Sequence, residues 1–357
     1  MWISNSAATA MLMPIAFGLF REISRDAVAD SKQLNPMLLQ RVLLSTAFSA
    51  SIGGIATPIG SPPNAIAISY LDRSNIDLSF LEWMLRCLPL SLVMLITMNL
   101  ILASMIPVYA NKKEITRSEK SRIDLSKESA IFEPLPKLNS NRFRVLIIFF
   151  LAILMWVGPS FLALIFSEKI WASNLKSCLP MGVVAVISAS FLFFIPDAQT
   201  ALNSKSLIDW EDARKIDWGT VMLFGGGLCL SRILDNSGLS GRLGNYLFTI
   251  SGSNILTFVF LFIVVCILFS EFSSNTASAS IMIPIVVAIS KDASQLQGLL
   301  LTTAIAASFG FMLPVSTPPN AIIFGTGEIP LRYMMRVGVY FDLLGAFLIW
   351  IWFAILL

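Results

Sequence analysis

Long apolar runs separated by short polar stretches dominate this chain. Three runs, at 87–110, 143–166 and 337–357, stay apolar over about 20 residues, the length a helix rising ~1.5 Å per residue needs to cross a ~30 Å hydrocarbon core. Seven more, at 3–20, 41–70, 179–196, 218–234, 254–270, 277–290 and 298–326, are short or interrupted by Pro, Gly, Ser and Asn. The pattern predicts an all-α polytopic membrane protein with several broken helices, embedded in a lipid bilayer.

Composition sharpens that reading. Of 357 residues, 56% are apolar and 13% charged, against about 25% charged in a soluble domain. A water-soluble enzyme is excluded. The chain has no histidine, which removes imidazole bases, histidine metal sites and Ser-His-Asp triads. An intramembrane enzyme would need a serine with a lysine or histidine base inside the spans, and no such pair occurs. No catalytic residue, organic cofactor or nucleic-acid partner is therefore expected. Cys87, Cys178, Cys229 and Cys266 are scattered without a CxxC pair and are expected to be packing residues. Met1 leads straight into WISNSAATAMLMPI, which has no charged n-region or cleavage site of a signal peptide.

Loop charge sets an orientation, because cytoplasmic loops collect Lys and Arg. With 254–290 read as a hairpin entering and leaving on one face, stretches 21–41, 111–144, 197–217 and 327–336 fall inside and hold 18 Lys and Arg. Stretches 71–86, 167–178, 235–253 and 291–297 fall outside and hold 6. The mixed-sign segment 111–142 then reads as a cytoplasmic linker between two halves.

The halves carry a repeat. SNSAATAMLMPI (4–15) aligns with SNTASASIMIPI (274–285) at an offset of 270, and ATPIGSPPNAIAI (56–68) with MLPVSTPPNAIIF (312–324) at an offset of 256. In the charge-derived topology the two broken helices run in opposite directions. That predicts an inverted repeat, whose paired broken helices are the sequence pointer to a transporter site near the bilayer midplane. The expected division is 1–110 as the remainder of the first repeat, 111–142 as linker and 143–357 as the second repeat. The first would hold a hairpin arm, the broken helix 41–70 and span 87–110; the second would hold spans 143–166, 179–196 and 218–234, hairpin 254–290, broken helix 298–326 and span 337–357.

The repeated residues suit ions. Pro62-Pro63 and Pro318-Pro319 remove backbone donors and free carbonyls, which at membrane depth must be buried in protein or line a wet cavity. Those oxygens, with Ser, Thr and Asn side chains, are hard ligands for a small cation such as sodium. Gly60 and Ser316 sit two residues before each double proline, where backbone oxygens should face such a site. The triplets Ser4-Asn5-Ser6 and Ser274-Asn275-Thr276, placed at hairpin tips, would expose helix N-termini that attract an anion. A plainer reading makes the triplets ordinary N-caps and the prolines kinks.

The two triplets and the two segments IGSPPNAIAI (59–68) and VSTPPNAI (315–322) resemble the signatures of the divalent anion/sodium symporter family, and the resemblance covers the whole chain. It implies an elevator-type transporter with re-entrant hairpins, working as a homodimer in the bacterial inner membrane and carrying a divalent anion with sodium ions. It implies that Asn5, Ser6, Ser61, Asn275, Thr276, Thr317 and Pro318 contact substrate. It also implies one sodium at Ser4, Asn5 and Gly60, and another at Ser270, Ser273, Asn275 and Ser316. Ser6 stands where the family usually has Thr, which keeps the hydroxyl. The family's three spans and first hairpin arm ahead of the first triplet have no counterpart here, so an N-terminally truncated member is expected.

The function expected is sodium-coupled symport of a small divalent anion, with C4-dicarboxylates such as succinate or malate leading. A proton-coupled or exchange-type carrier of citrate, tartrate or sulfate, or an inactive fragment, is the alternative. Four other features have readings of their own. Phe224-Gly225-Gly226-Gly227 lacks the GK[ST] of a phosphate loop and is read as close helix packing or a hinge. Glu271 is either a participant near the second sodium or an internally paired carboxylate. Asp342 and Arg232 are read as structural partners or snorkelling residues. Trp83, Trp156, Trp171, Trp210, Trp218, Trp350 and Trp352 are read as interfacial aromatics.

Overall fold

In lipid only helices and closed barrels satisfy every backbone polar group, and this chain takes the helical solution. The computed structural model describes all residues except 30–34, 36, 107–138, 167–168, 197–205, 217, 253, 291 and 357. In chain order the helices are α1 (Asn5–Ala29), α2 (Leu38–Ile55), α3 (Pro62–Arg73), α4 (Phe80–Met105), α5 (Ser140–Ile165), α6 (Ile170–Cys178), α7 (Met181–Phe194) and α8 (Trp210–Ala213). They continue with α9 (Trp218–Asn236), α10 (Leu239–Ile250), α11 (Ile255–Phe272), α12 (Asn275–Val287), α13 (Ala293–Ala307), α14 (Pro318–Phe324) and α15 (Leu331–Leu356).

Six of these are long and apolar enough to cross a membrane, or seven if α6 and α7, bent by 64° at a short break, form one span. The three clean runs of the sequence become α4, α5 and α15. Run 41–70 splits into α2 and α3, run 298–326 splits into α13 and α14, and 254–290 folds back on itself as α11 and α12. With 13 residues α12 is ~20 Å long, too short to span. The linker segment lies outside the described residues up to 138; Asn139 then caps α5 by accepting the Arg142 N–H at 3.0 Å.

The described residues form two compact units. The first holds Met1–Asp77, the described part of 86–132, and Leu223–Leu357. Within it α1 packs on α2 and α14, α12 packs on α13 and α3, α3 lies on α13, and α14 lies on α2. Each pairing within the first motif set therefore has a counterpart in the second. At their centre Phe48, Phe309, Phe311 and Phe341 form a buried aromatic cluster with ring centroids 4.7–6.3 Å apart. The second unit holds Leu78–Leu85 and the described part of 133–222. There α5 packs on α6 and α7, Phe80 stacks on Trp156 at 5.3 Å, and the Trp156 indole N–H donates to the Met181 carbonyl at 3.0 Å.

Three sequence expectations are corrected. Stretch 235–253 is not a plain loop, because α10 occupies most of it. Its small residues Ser240 and Gly244 are buried and α10 packs on α12, while Leu239, Leu243, Tyr246 and Ile250 are exposed. Trp83 is fully buried and belongs to the core instead of an interfacial belt. Cys87 and Cys266 are buried as expected of packing residues, but Cys178 and Cys229 are exposed.

Candidate functional site

Both broken helices restart on their prolines. Pro62-Pro63 and Pro318-Pro319 occupy the first two positions of α3 and α14, where a missing N–H costs nothing because that donor has no helical acceptor. Ser61 (φ −145°, ψ 140°) and Thr317 (φ −139°, ψ 145°) are extended, the conformation that proline imposes on its predecessor. The double prolines thus start the second half of each helix and do not kink a continuous one.

The backbone freed between the halves is held by an asparagine in each copy. Asn64 Nδ2 donates to the carbonyls of Gly54 (2.9 Å) and Thr57 (2.8 Å). Asn320 Nδ2 donates to those of Gly310 (2.8 Å) and Leu313 (3.1 Å). Donors and acceptors all correspond at the offset of 256, so the repeat extends to single hydrogen bonds. Both asparagines are 0% exposed, and their Oδ1 atoms have no hydrogen-bond partner among the described residues. The sequence pattern alone singles out neither asparagine; the PPN tripeptide is the signal it offers. The first break is tight, since a Cβ at Gly54 would lie 2.8 Å from the Gly60 carbonyl oxygen. A Cβ at its counterpart Gly310 would lie 3.0 Å from the Ser316 side chain.

The triplets cap helices. Ser4 Oγ accepts the Ala7 N–H at 3.3 Å, and Ser274 Oγ accepts the Ala277 N–H at 3.2 Å. The plain N-cap reading therefore holds for both serines, and each cap presents the start of α1 or α12. Their asparagines differ. Asn5 is buried and its Oδ1 accepts the Ser6 N–H at 2.9 Å, within its own turn. Asn275 reaches the second break, donating from Nδ2 to the Ser308 carbonyl at 3.2 Å.

Around Asn275 oxygens outnumber protons. The Ser270 hydroxyl lies 3.0 Å from Asn275 Oδ1 and 2.8 Å from the Ala307 carbonyl oxygen, and its one proton serves one acceptor at a time. Within the second break the Ser316 hydroxyl is 2.7 Å from the Gly310 oxygen and 2.6 Å from the Leu313 oxygen, the two carbonyls that Asn320 Nδ2 also serves. Such a group of hard oxygens suits a small cation. Ser273, expected beside them, directs its hydroxyl along the hairpin, to the Phe269 carbonyl at 3.0 Å and Ser278 Oγ at 2.8 Å.

The two breaks touch where Ser61 Oγ lies 3.2 Å from Ser308 Oγ. Ser308 donates to Ala304, so Ser61 supplies the proton of that contact. Thr276 and Thr317 are buried, and Thr317 Oγ1 has no partner among the described residues. Pro318 is exposed, and Gly60 lies buried against Gly54. Glu271 proves to be internally paired: its carboxylate oxygens accept the Met312 N–H at 2.8 Å and the Leu313 N–H at 3.0 Å, so the hairpin arm caps the second break. On α15 Gly338 lets the Met312 backbone approach, Asp342 faces Glu271 and Gly345 receives the Phe309 ring. Asp342 is thus a structural neighbour of the break.

The sodium:sulfate symporter transmembrane region, as a family, matches residues 1–357. This chain belongs to that family. A protein of Staphylococcus saprophyticus named sodium-dependent dicarboxylate transporter SdcS is 33% identical over 347 residues, covering 96% of this chain and 64% of its own length. An uncharacterized transporter of Methanocaldococcus jannaschii is 35% identical over 348 residues, covering 97% of this chain and 68% of its own. Against a Staphylococcus aureus SdcS the identity is 32% over 352 residues, with 98% and 65% covered. The chain thus spans about two thirds of the length of these relatives. As a member of the sodium:sulfate symporter family it is a multi-pass integral membrane protein of a transporter family and not an enzyme.

Proposed function

We propose that this protein carries the ion and substrate sites of a sodium-coupled symporter of small divalent anions, with C4-dicarboxylates such as succinate or malate the leading substrates. The observation that carries the proposal is the meeting of two duplicated breaks at Ser61 and Ser308, near the Ser270 hydroxyl, whose one proton faces the two oxygens of Asn275 Oδ1 and Ala307. A second sodium is held by Ser270, Asn275 and Ser316, with Ser273 contributing backbone only. A first is held by Ser4, Asn5 and Gly60. Asn5, Ser6, Ser61, Asn275, Thr276, Thr317 and Pro318 surround the anion, which hydroxyl and amide donors and the starts of α1 and α12 hold without any fixed positive charge.

Coupling follows from order of binding. Sodium orders the breaks and so completes the anion site, and an anion with little affinity for the sodium-free form shifts the population only when sodium is present. The homodimeric elevator and the opposed orientation of the halves belong to the same proposal, supported by the family resemblance and by the matched packing of the two motif sets. The SdcS name of two relatives supports a dicarboxylate over sulfate. The test is uptake of radiolabelled succinate into proteoliposomes. Uptake driven by an inward sodium gradient, and abolished when choline replaces sodium, is expected; equal uptake in choline would overturn the proposal.

A further inference from the structure

At one end of the first unit three helix termini converge. Arg41, in the first turn of α2, donates from Nη1 to the Ile106 carbonyl just past α4 at 3.0 Å. Tyr333, in the first turn of α15, lies within electrostatic range of both Arg41 and Arg336, and its hydroxyl is buried without a hydrogen-bond partner among the described residues. Arg332 lies one turn before Arg336 on the same helix. Neither Arg332 nor Arg336 has an ion-pair partner among the described residues. Beside this basic end runs a groove of about 570 Å³ between α4 and α15, lined by Ile101, Ser104, Met105, Arg336, Tyr340 and Leu344.

The groove is apolar along its length and cationic at its mouth. Its volume is that of a small-molecule site, but a water-soluble ligand would have to enter between two membrane-spanning helices. A guanidinium at the end of a helix–helix groove, on the Lys- and Arg-rich side of the protein, faces the leaflet where anionic lipids lie. Arginine matches a phosphate with a planar fork of donors.

We propose that the α4–α15 groove is a binding site for an anionic phospholipid, whose acyl chain lies against Ile101, Met105 and Leu344 and whose phosphate sits on Arg336 with the Tyr340 hydroxyl as a further donor. The lipid bridges α4 to the helix that carries Gly338, Asp342 and Gly345 under the second break, so its occupancy stabilises the break's support.

The test is native mass spectrometry of the purified full chain exchanged into mixed micelles of phosphatidylglycerol and phosphatidylcholine with identical acyl chains. Wild type should retain phosphatidylglycerol in preference. Arg336→Gln should lower that retention about five-fold, on the scale of one basic residue near an anionic surface, and Arg336→Lys should recover part of it. Leu344→Trp, which fills the groove and leaves every charge in place, should lower retention of both lipids. This second variant keeps the test decisive if Arg336→Gln fails to fold. Equal retention of the two lipids by wild type, unchanged selectivity in Arg336→Gln, or displacement of the lipid by inorganic phosphate or glycerol phosphate alone would overturn the proposal.

Discussion

Asn64 and Asn320 do the same work in two places, ten residues beyond a glycine whose carbonyl each one holds. Removing the Asn64 amide takes the side-chain donor from Gly54, at ~1–3 kcal/mol for a buried group left unsatisfied, while Thr57 keeps the Gly60 N–H and, in the second break, Gly310 and Leu313 keep the Ser316 hydroxyl. Asn64→Ala and Asn320→Ala should therefore both lower the thermal unfolding midpoint in detergent, Asn64→Ala by more. The aspartate variants should do worse, because they set a carboxylate beside the same carbonyls; a midpoint unchanged by either alanine would show that the clamps contribute nothing. The motif spacing makes the existence of these breaks legible in the sequence. It does not reveal that the asparagine side chain, as well as the proline, organises them, because which carbonyl an amide reaches depends on how the chain folds back between residues 54 and 64. Glu271 is ambiguous in the sequence for the same reason: its partners, Met312 and Leu313, are about 40 residues away and come within reach only when the hairpin packs on the second break.

At the scale of elements, the long apolar runs translate directly into helices because hydrophobic length is a local property. Short amphipathic elements do not. Helix α10 falls in a stretch that the charge pattern treats as an outside loop; its 12 residues mix small, polar and apolar types, and its small face only gains meaning against α12. A Cβ at Gly244 would meet the Ile289 side chain at 2.6 Å. The glycine run of α9 divides in the same way. A Cβ at Gly225 or Gly226 would meet nothing within 4 Å, whereas at Gly227 it would run into Ser280 of α12. Gly225→Ala and Gly226→Ala should be neutral or stabilising by up to ~1 kcal/mol through helix propensity. Gly227→Ala should be destabilising, because it pushes α9 off the hairpin. Thermal midpoints of the three variants side by side decide this, and a loss at Gly225 equal to that at Gly227 would refute it.

For the whole molecule, charge in the loops yields an orientation that labelling can check. In a background where Cys87, Cys229 and Cys266 are replaced by serine, a membrane-impermeant maleimide applied to intact cells should modify the exposed Cys178. With Cys178 also replaced, a cysteine introduced by Ser118→Cys should react only after permeabilisation. The reverse pattern would invert the topology. The three long apolar spans, the two breaks and the family are legible in the sequence, because each rests on composition or on a motif, whereas 218–234 and 298–326, expected as spans, give no single helix long and apolar enough to cross among the described residues. Which partner each break leans on is not legible there, since that is decided by contacts between residues as far apart as 61 and 308.

Those contacts carry a consequence for how the polypeptide is assembled. Helix α3 rests on α13 and α14 on α2, while α1 and α12 each reach the other set, so the N-terminal and C-terminal portions interlock like clasped hands. Covalent continuity through the middle of the sequence should then be dispensable. Residues 1–118 and 119–357, co-expressed from separate reading frames with a tag on one only, should co-purify as a complementing pair.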